Sequence, residues 1–528
     1  MTAKNTQNQF HYGDEQLSIA KALQIVRAQT RGALSPSTRA KVQLSWQNVQ
    51  DIVATDRTVY GINTGFGPLC QTRISASEAA LLQLNLLKSH SVGVGEPVPH
   101  DIAKLMLILK LQSLAQAYSG IALATLDRIM WHIDNNIIPS VPSQGSVGAS
   151  GDLAPLAHLF LPLIGLGHVW HDGRLQMSAS VLQKFNLPPL VLGPKEGLAL
   201  INGTQFIAAY AVKVAAGLQN CLNAADIIGA MSLDALQGSV RPFDEKLHRL
   251  RPFAGARLVS TRVRGLLDNS EVVIAHKNCA VVQDPYSLRC MAQVHGASRD
   301  AWAHLKTQLH CELNSVTDNP IIFSSEDTVS GGHFHGQPLA LPLDYTAMAA
   351  SEIGSISERR TYLLLEGKRA GLPPLLVKNP GLNSGLMIPQ YTAAALVSEN
   401  KTLCFPASVD SIPTSLGQED HVSMGPISAR KAYQIIGNLE NILAIELLCA
   451  AQALDFHRPL KSGPILESVH KLVRQKIASI DADRIFAEDI AAARQLIASE
   501  EFVQTANAAA RAANINLNGD DDDRFGLD

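Results

Sequence analysis

From Pro426 to Phe456 the apolar residues Ile436, Leu439, Leu443, Leu447, Ala450 and Leu454 recur at three- and four-residue steps, the spacing that lines one face of a helix. The same periodicity predicts helices over 101–117, 122–136, 196–238, 286–314, 341–368 and 389–402, most of them richest in alanine and leucine, which lose little freedom in a helix. Long helices with apolar stripes bury them against one another, so the expected fold is mainly α, with a central bundle of long helices. Strand patterns are few. His168–Met177 sets Asp172-Gly173 between two short apolar arms, a hairpin signal, and Pro320–Phe323 reads as another short strand. The expected organisation is a smaller mixed N-terminal domain (1–215), a long-helix bundle domain (216–515) and an acidic tail (516–528), in which the run Asp520–Asp523 reads as solvated and frayed.

Uncharged or glycine-rich loops separate the helices: Tyr60–Gly67, Gly145–Asp152, Ile201–Gln205 and Ser330–Gly336. Such loops need a rigid scaffold to position them, and functional groups concentrate on them.

Composition narrows the partners. The 528 residues carry 44 Lys+Arg against 47 Asp+Glu, a formal charge of −3, and are 46% hydrophobic but only 17% charged. That is too apolar for a disordered chain, and no basic block interleaved with aromatics is present to release counterions from phosphates. Nucleic acid is not an expected partner. A lone monomer covers its surface with more charge than this, so burial between subunits is expected. Leu153–Trp170 is uncharged, but Pro155, Pro162, Gly165, Gly167 and two histidines interrupt it, which favours a buried soluble segment over a membrane span. Met1–Glu15 lacks the basic start and apolar run of a secretory signal. Seven scattered cysteines without a Cys-x-x-Cys pair argue against a disulfide framework or a zinc site, and the expected compartment is the cytoplasm.

The loop Gly148-Ala149-Ser150-Gly151-Asp152 does not fit a nucleophile elbow, since glycine follows the serine directly, nor a Walker loop, since no lysine is near. On composition it is a tight turn into a helix starting near Leu153. Its wider setting, Ser146 to His158, resembles the signature of the aromatic amino acid ammonia-lyases and related aminomutases. The resemblance runs through Tyr60–Gly67, Glu196–Gln205, Val282–Cys290, Asn383–Met387 and Gln418–Met424, in the family's order.

This resemblance implies that Ala149, Ser150 and Gly151 cyclise with loss of water to a methylidene-imidazolone electrophile, so that no external cofactor is needed. The residues suit that chemistry: Gly151 lacks a Cβ, so its nitrogen can approach the Ala149 carbonyl carbon, and Ser150 carries the hydroxyl that leaves. The family's base matches Tyr60, a phenol that must be helped by neighbouring donors or cations to act as a phenolate. Arg289 matches the clamp on the substrate carboxylate. Asn202, Gln283 and Tyr286 match residues around the imidazolone and the substrate's polar groups. Phe334 matches an aromatic that presses the tripeptide into its cyclisation geometry. One departure stands beside it: most relatives have Gly-Gly-Asn-Phe where this chain has Gly331-Gly332-His333-Phe334. With His335 this makes a His-x-His pair, but no third ligand has a recognisable spacing for a metal.

Substrate choice rests, by the same resemblance, on Ser89-His90 and on Glu419. A carboxylate accepts an imidazole N–H, whereas facing a phenyl ring it would be buried unpaired. The implied reaction is non-oxidative elimination of ammonia from histidine to give urocanate, in a homotetramer whose active sites are shared between subunits. The alternatives are a tyrosine or phenylalanine lyase, an aminomutase of the same family, or a non-catalytic helical scaffold. An intact Ala149-Ser150-Gly151 with Tyr60 argues against the last.

Overall fold

Four long helices, Gln205–Ala235, Met291–Leu313, Gln337–Leu365 and Gly425–Asp455, pack against one another as the centre of the molecule, with Ala254–Leu266 and Met387–Leu403 laid along them. The computed structural model describes residues 9–55, 57–75, 78–276, 282–517 and 522–528. The periodic positions of the last long helix are buried, as expected, but so are Ile442, Ala444, Ile445, Leu448, Cys449 and Ala451 between them. From Ile442 to Leu454 the stripe widens until the helix is buried all round, because neighbours pack on every side there. By length and composition this is also the one helix among the described residues apolar enough to cross a membrane.

Charges buried within the bundle are met by partners. Asp226 accepts from Arg262 at 2.8 Å, His295 at 2.8 Å and Arg299 at 2.5 Å, and Glu446 accepts from Arg360 at 2.5 and 2.9 Å. Burial alone would raise the Asp226 carboxyl, but the Arg299 guanidinium, His295 and Arg262 hold it well below the usual carboxylate range.

The N-terminal region packs Pro36–Val53, His100–Ala115 and Leu123–Asp134 around small sheets. His168–His171 pairs antiparallel with Arg174–Met177 across the expected Asp172-Gly173 turn, and Ile321–Ile322 pairs with Thr328–Val329. One core runs from Phe10 to Phe525, and the helix Gln205–Ala235 continues unbroken across position 215, so both regions share it. Two predicted helices are interrupted: 196–238 becomes Glu196–Ile201 and Gln205–Ala235, and 286–314 becomes Tyr286–Arg289 and Met291–Leu313. The expected frayed tail is corrected in its last residues, where Phe525 is buried, its carbonyl accepts from Gln219 at 2.5 Å, and Ala20 N–H reaches the Leu527 carbonyl at 3.4 Å. An apolar side chain has anchored what charge alone would have left in water. Asp520 and Asp521 lie outside the described residues.

Candidate active site

The turn Gly148–Asp152 enters the helix Leu153–Phe160 held from two sides. On one side Ala149 packs against Val422 and Met424, Ser423 Oγ donates to the Gly148 carbonyl at 3.3 Å, and Met424 N–H donates to the Val147 carbonyl at 2.9 Å. On the other side Gly151 bridges Gly203: the Gly203 N–H donates to the Ser150 carbonyl at 3.4 Å, and the Asp152 N–H donates to the Gly203 carbonyl at 2.7 Å. The Asp152 carboxylate is fully buried and its Oδ2 accepts the Phe206 and Ile207 N–H groups at 2.9 and 3.0 Å, satisfying free amides at the start of Gln205–Ala235. Oδ1 is buried without a hydrogen-bond partner. Burial pushes this carboxyl up to about 7, against the lowering effect of the two amides.

Tyr60, His90, Ser150, Asn202, Phe334 and Glu419 line one cleft of about 590 Å³, with Phe66, Cys70 and Leu86 among its walls. Glu419 is anchored at both oxygens: Ser150 Oγ donates to Oε1 at 2.9 Å, while Thr414 Oγ1 and Ser415 Oγ donate to Oε2 at 2.8 and 2.9 Å. His90 ends the helix Ala79–His90, and its Nδ1 lies 2.9 Å from the Leu86 carbonyl. A carbonyl only accepts, so Nδ1 carries the proton and Nε2 is left for the cleft. Burial lowers the His90 ring's pKa, opposed by the Leu86 carbonyl and the Glu419 carboxylate. The Tyr60 hydroxyl accepts the Gly67 N–H at 3.3 Å. Burial raises its pKa, Cys70 and Glu419 add to the rise, and the Gly67 amide opposes it. The Gly67 amide is thus the one donor helping a phenolate among these contacts, and none of the described side chains lining the cleft is a lysine or arginine.

Asn202 sits at the break before Gln205–Ala235, with Nδ2 donating to the Asn319 carbonyl at 3.0 Å and Oδ1 buried without a partner. Asn319 Oδ1 accepts the Gly331 N–H at 2.9 Å, which ties the Phe334 loop to the same wall. Behind that wall Lys195 Nζ meets Asp318 Oδ2 at 2.5 Å with both side chains buried, and Lys110 Nζ donates to the Asn202 carbonyl. Sequence reasoning passed over Lys110, Asp318, Asn319, Thr414 and Ser415. The available signal was a lysine inside the otherwise apolar run Leu105–Leu111.

Gln283, Tyr286 and Arg289 are not brought into this cleft. Tyr286 is 69% exposed, the Arg289 guanidinium lies 4.5 Å from its ring centroid, and Arg289 Nε donates to the Asp284 carbonyl at 2.9 Å. His333 lines a separate hollow with Tyr118, Cys311, Glu312 and His335. Among the described residues no group of three histidine, cysteine or acidic side chains is placed to hold a metal.

Residues 17–475 match the sequence profile of the aromatic amino acid lyase family. The chain is 46% identical over 494 residues to a histidine ammonia-lyase of Myxococcus xanthus, covering 93% of this chain and 97% of that one. Among solved structures it is similar to histidine ammonia-lyase from Trypanosoma cruzi (TM-score 0.88, 39% identity, 95% of each chain). It is also similar to tyrosine aminomutase from Streptomyces globisporus (TM-score 0.90, 34% identity, 96% of this chain and 100% of that one).

Proposed function

Since the chain belongs to the aromatic amino acid lyase family, and is thereby a carbon–nitrogen lyase, we propose that it eliminates ammonia from L-histidine to give urocanate. The observation that carries this reading is the contact of Ser150 Oγ with Glu419 at 2.9 Å in one cleft. The hydroxyl that must leave and the carboxylate that tells an imidazole from a phenyl ring stand side by side.

Ala149, Ser150 and Gly151 fit a self-formed methylidene-imidazolone, because Gly151 holds a left-handed φ of +78° and a Cβ there would lie 2.1 Å from the Gly203 carbonyl oxygen. Once formed, that group supplies the electrophile that makes the substrate amine a leaving group, and no other cofactor enters the reading. Tyr60 takes the β-proton. Glu419, held by Thr414 and Ser415, accepts from the substrate ring, and His90 offers Nε2 beside it. A phenyl ring would leave both groups without partners. Phe334 and Asn202 close the wall around the tripeptide.

Among the described residues no lysine or arginine lines the cleft of one chain to serve a phenolate or the substrate carboxylate; Gln283 and Tyr286 stand exposed, and Arg289 half-buried, elsewhere. We therefore read the working enzyme as a homotetramer in which neighbouring copies bring these residues to each cleft. Leu341, Tyr345 and Met348, exposed in a line along Gln337–Leu365, support burial between copies. The six described cysteines are free, which suits a cytoplasmic enzyme.

One enzyme preparation assayed with histidine, tyrosine and phenylalanine tests the reading through urocanate, coumarate and cinnamate absorbance. Histidine should be preferred over phenylalanine by about 10⁴ in kcat/KM, as for sites built on ring hydrogen bonds. Glu419→Gln should lower histidine turnover and narrow that gap. A higher kcat/KM for tyrosine or phenylalanine overturns the substrate, and a β-amino acid product marks an aminomutase.

A further inference from the structure

Lys110 lies within the helix His100–Ala115 between Leu109 and Leu111, and only 1% of it is exposed. A methionine would fill that space without the cost of burying an ammonium, so the charge calls for a reason. Lys110 Nζ donates to the Asn202 carbonyl, and the charged groups facing it are Asp318, Lys195 and Asp152. The carbonyl it grips belongs to the same peptide unit as the Gly203 N–H, and that N–H donates to the Ser150 carbonyl at 3.4 Å. One continuous chain thus runs from the buried ammonium through the Asn202–Gly203 peptide to the middle residue of the tripeptide. A cation on a peptide carbonyl polarises the N–H at the other end of the unit, which strengthens its donation. The next peptide unit, Gly203–Thr204, holds Asp152 through the Gly203 carbonyl, and the Asn202 side chain reaches the cleft.

We propose that Lys110 is a positioning residue for the reaction: its ammonium holds and polarises the Asn202–Gly203 peptide, and so fixes the Ser150 carbonyl and the Asn202 amide for imidazolone formation and for turnover. The proposal rests on the imidazolone reading above. Burial lowers the Lys110 ammonium to about 7, opposed by Asp318, so its charge is one that working pH can remove.

The test uses the full-length enzyme with Lys110→Met and Lys110→Arg, read by intact mass, by imidazolone absorbance and by separate kcat and KM for histidine. Lys110→Met should mature incompletely, showing a mixed population with and without the loss of two waters, and its matured fraction should lose about tenfold or more in kcat, with KM within about threefold. Lys110→Arg keeps the cation and should restore maturation and most of kcat. Because arginine stays charged, it should also carry activity further into the alkaline range than the wild type. Full maturation of Lys110→Met with wild-type kcat overturns the proposal. If that variant does not fold, a Lys110→Arg enzyme with the wild-type pH profile overturns it instead. A wild-type chain that has lost no water defeats the imidazolone reading itself, whatever the variants do.

Discussion

A methyl group added at Gly151 would meet the Gly203 carbonyl oxygen at 2.1 Å, its carbon at 2.5 Å and its nitrogen at 2.8 Å, all of them backbone atoms that cannot rotate away. The φ of +78° adds strain for any residue with a Cβ. Gly151→Ala should therefore displace the turn from Gly203 while leaving the bundle intact. Intact-protein mass spectrometry should show the full unmodified mass, and activity should fall by about 10³-fold or more, the scale seen when an essential catalytic group is lost. A matured, active Gly151→Ala enzyme would refute the close fit as the reason for glycine. Glu419 makes the complementary point. Three hydroxyls hold its two oxygens, and one of them, Ser150 Oγ, is consumed if the imidazolone forms, which frees Oε1 for a ligand.

At the scale of elements, the helix Leu123–Asp134 carries a pH-sensitive group away from the cleft. His132 is buried, its Nδ1 donates to the Ile137 carbonyl at 2.9 Å, and Nε2 has no partner. Burial lowers its pKa from 6.5 to about 4, so between those values the unfolded chain binds more protons than the folded one. Stability should accordingly fall as pH drops from 6.5 to 4, by up to about 3 kcal/mol from this group at 1.36 kcal/mol per pH unit. Urea midpoints across that range should show His132→Gln, which keeps a donor but does not titrate, losing correspondingly less. Elements also show what the sequence could tell. The helices of the central bundle were legible because burial imposes a period on them, but Pro36–Val53, Ala79–His90, Ala254–Leu266, Pro464–Lys476, Phe486–Ala498 and Glu501–Ala512 went unread. The break at Asn202–Thr204 was marked by the uncharged loop Ile201–Gln205, although the periodicity was carried across it, whereas the break at Cys290 was not, since Leu288, Met291 and Ala292 continue the apolar pattern past it. The parallel pair Gln9–His11 with Arg31–Ala33 is only three residues long on each side, too short for alternation to register. In the site, Tyr60, His90, Ser150, Asn202, Phe334 and Glu419 could be named because their motifs are local. Lys110 could not, because its role depends on a carbonyl 92 positions away.

The whole molecule is where the separation of Arg289 from the cleft has its consequence. If neighbouring copies complete each site, Tyr60→Phe and Arg289→Leu damage different chains' contributions to one site. Tyr60→Phe alone should lose about 10²–10⁴-fold in kcat, as is usual for removal of a general base. Co-expressed with Arg289→Leu, it should regain activity in mixed oligomers, up to about a quarter of wild type if each site draws these two residues from different chains at random. Mixing without recovery would return both residues to one chain. The two halves of the chemistry also rest on unequal foundations. The electrophile's turn is tied to Gln205–Ala235 within the main core, whereas the segment carrying Tyr60 rests on the small cluster of Val49, Ile52, Val59, Ile62 and Ile322. Local opening follows the apolar burial at stake, so amide hydrogens of 59–75 should exchange far faster than those of Gln205–Ala235. Packing changes at Ile62 should then alter amide exchange across 59–75 without disturbing the bundle.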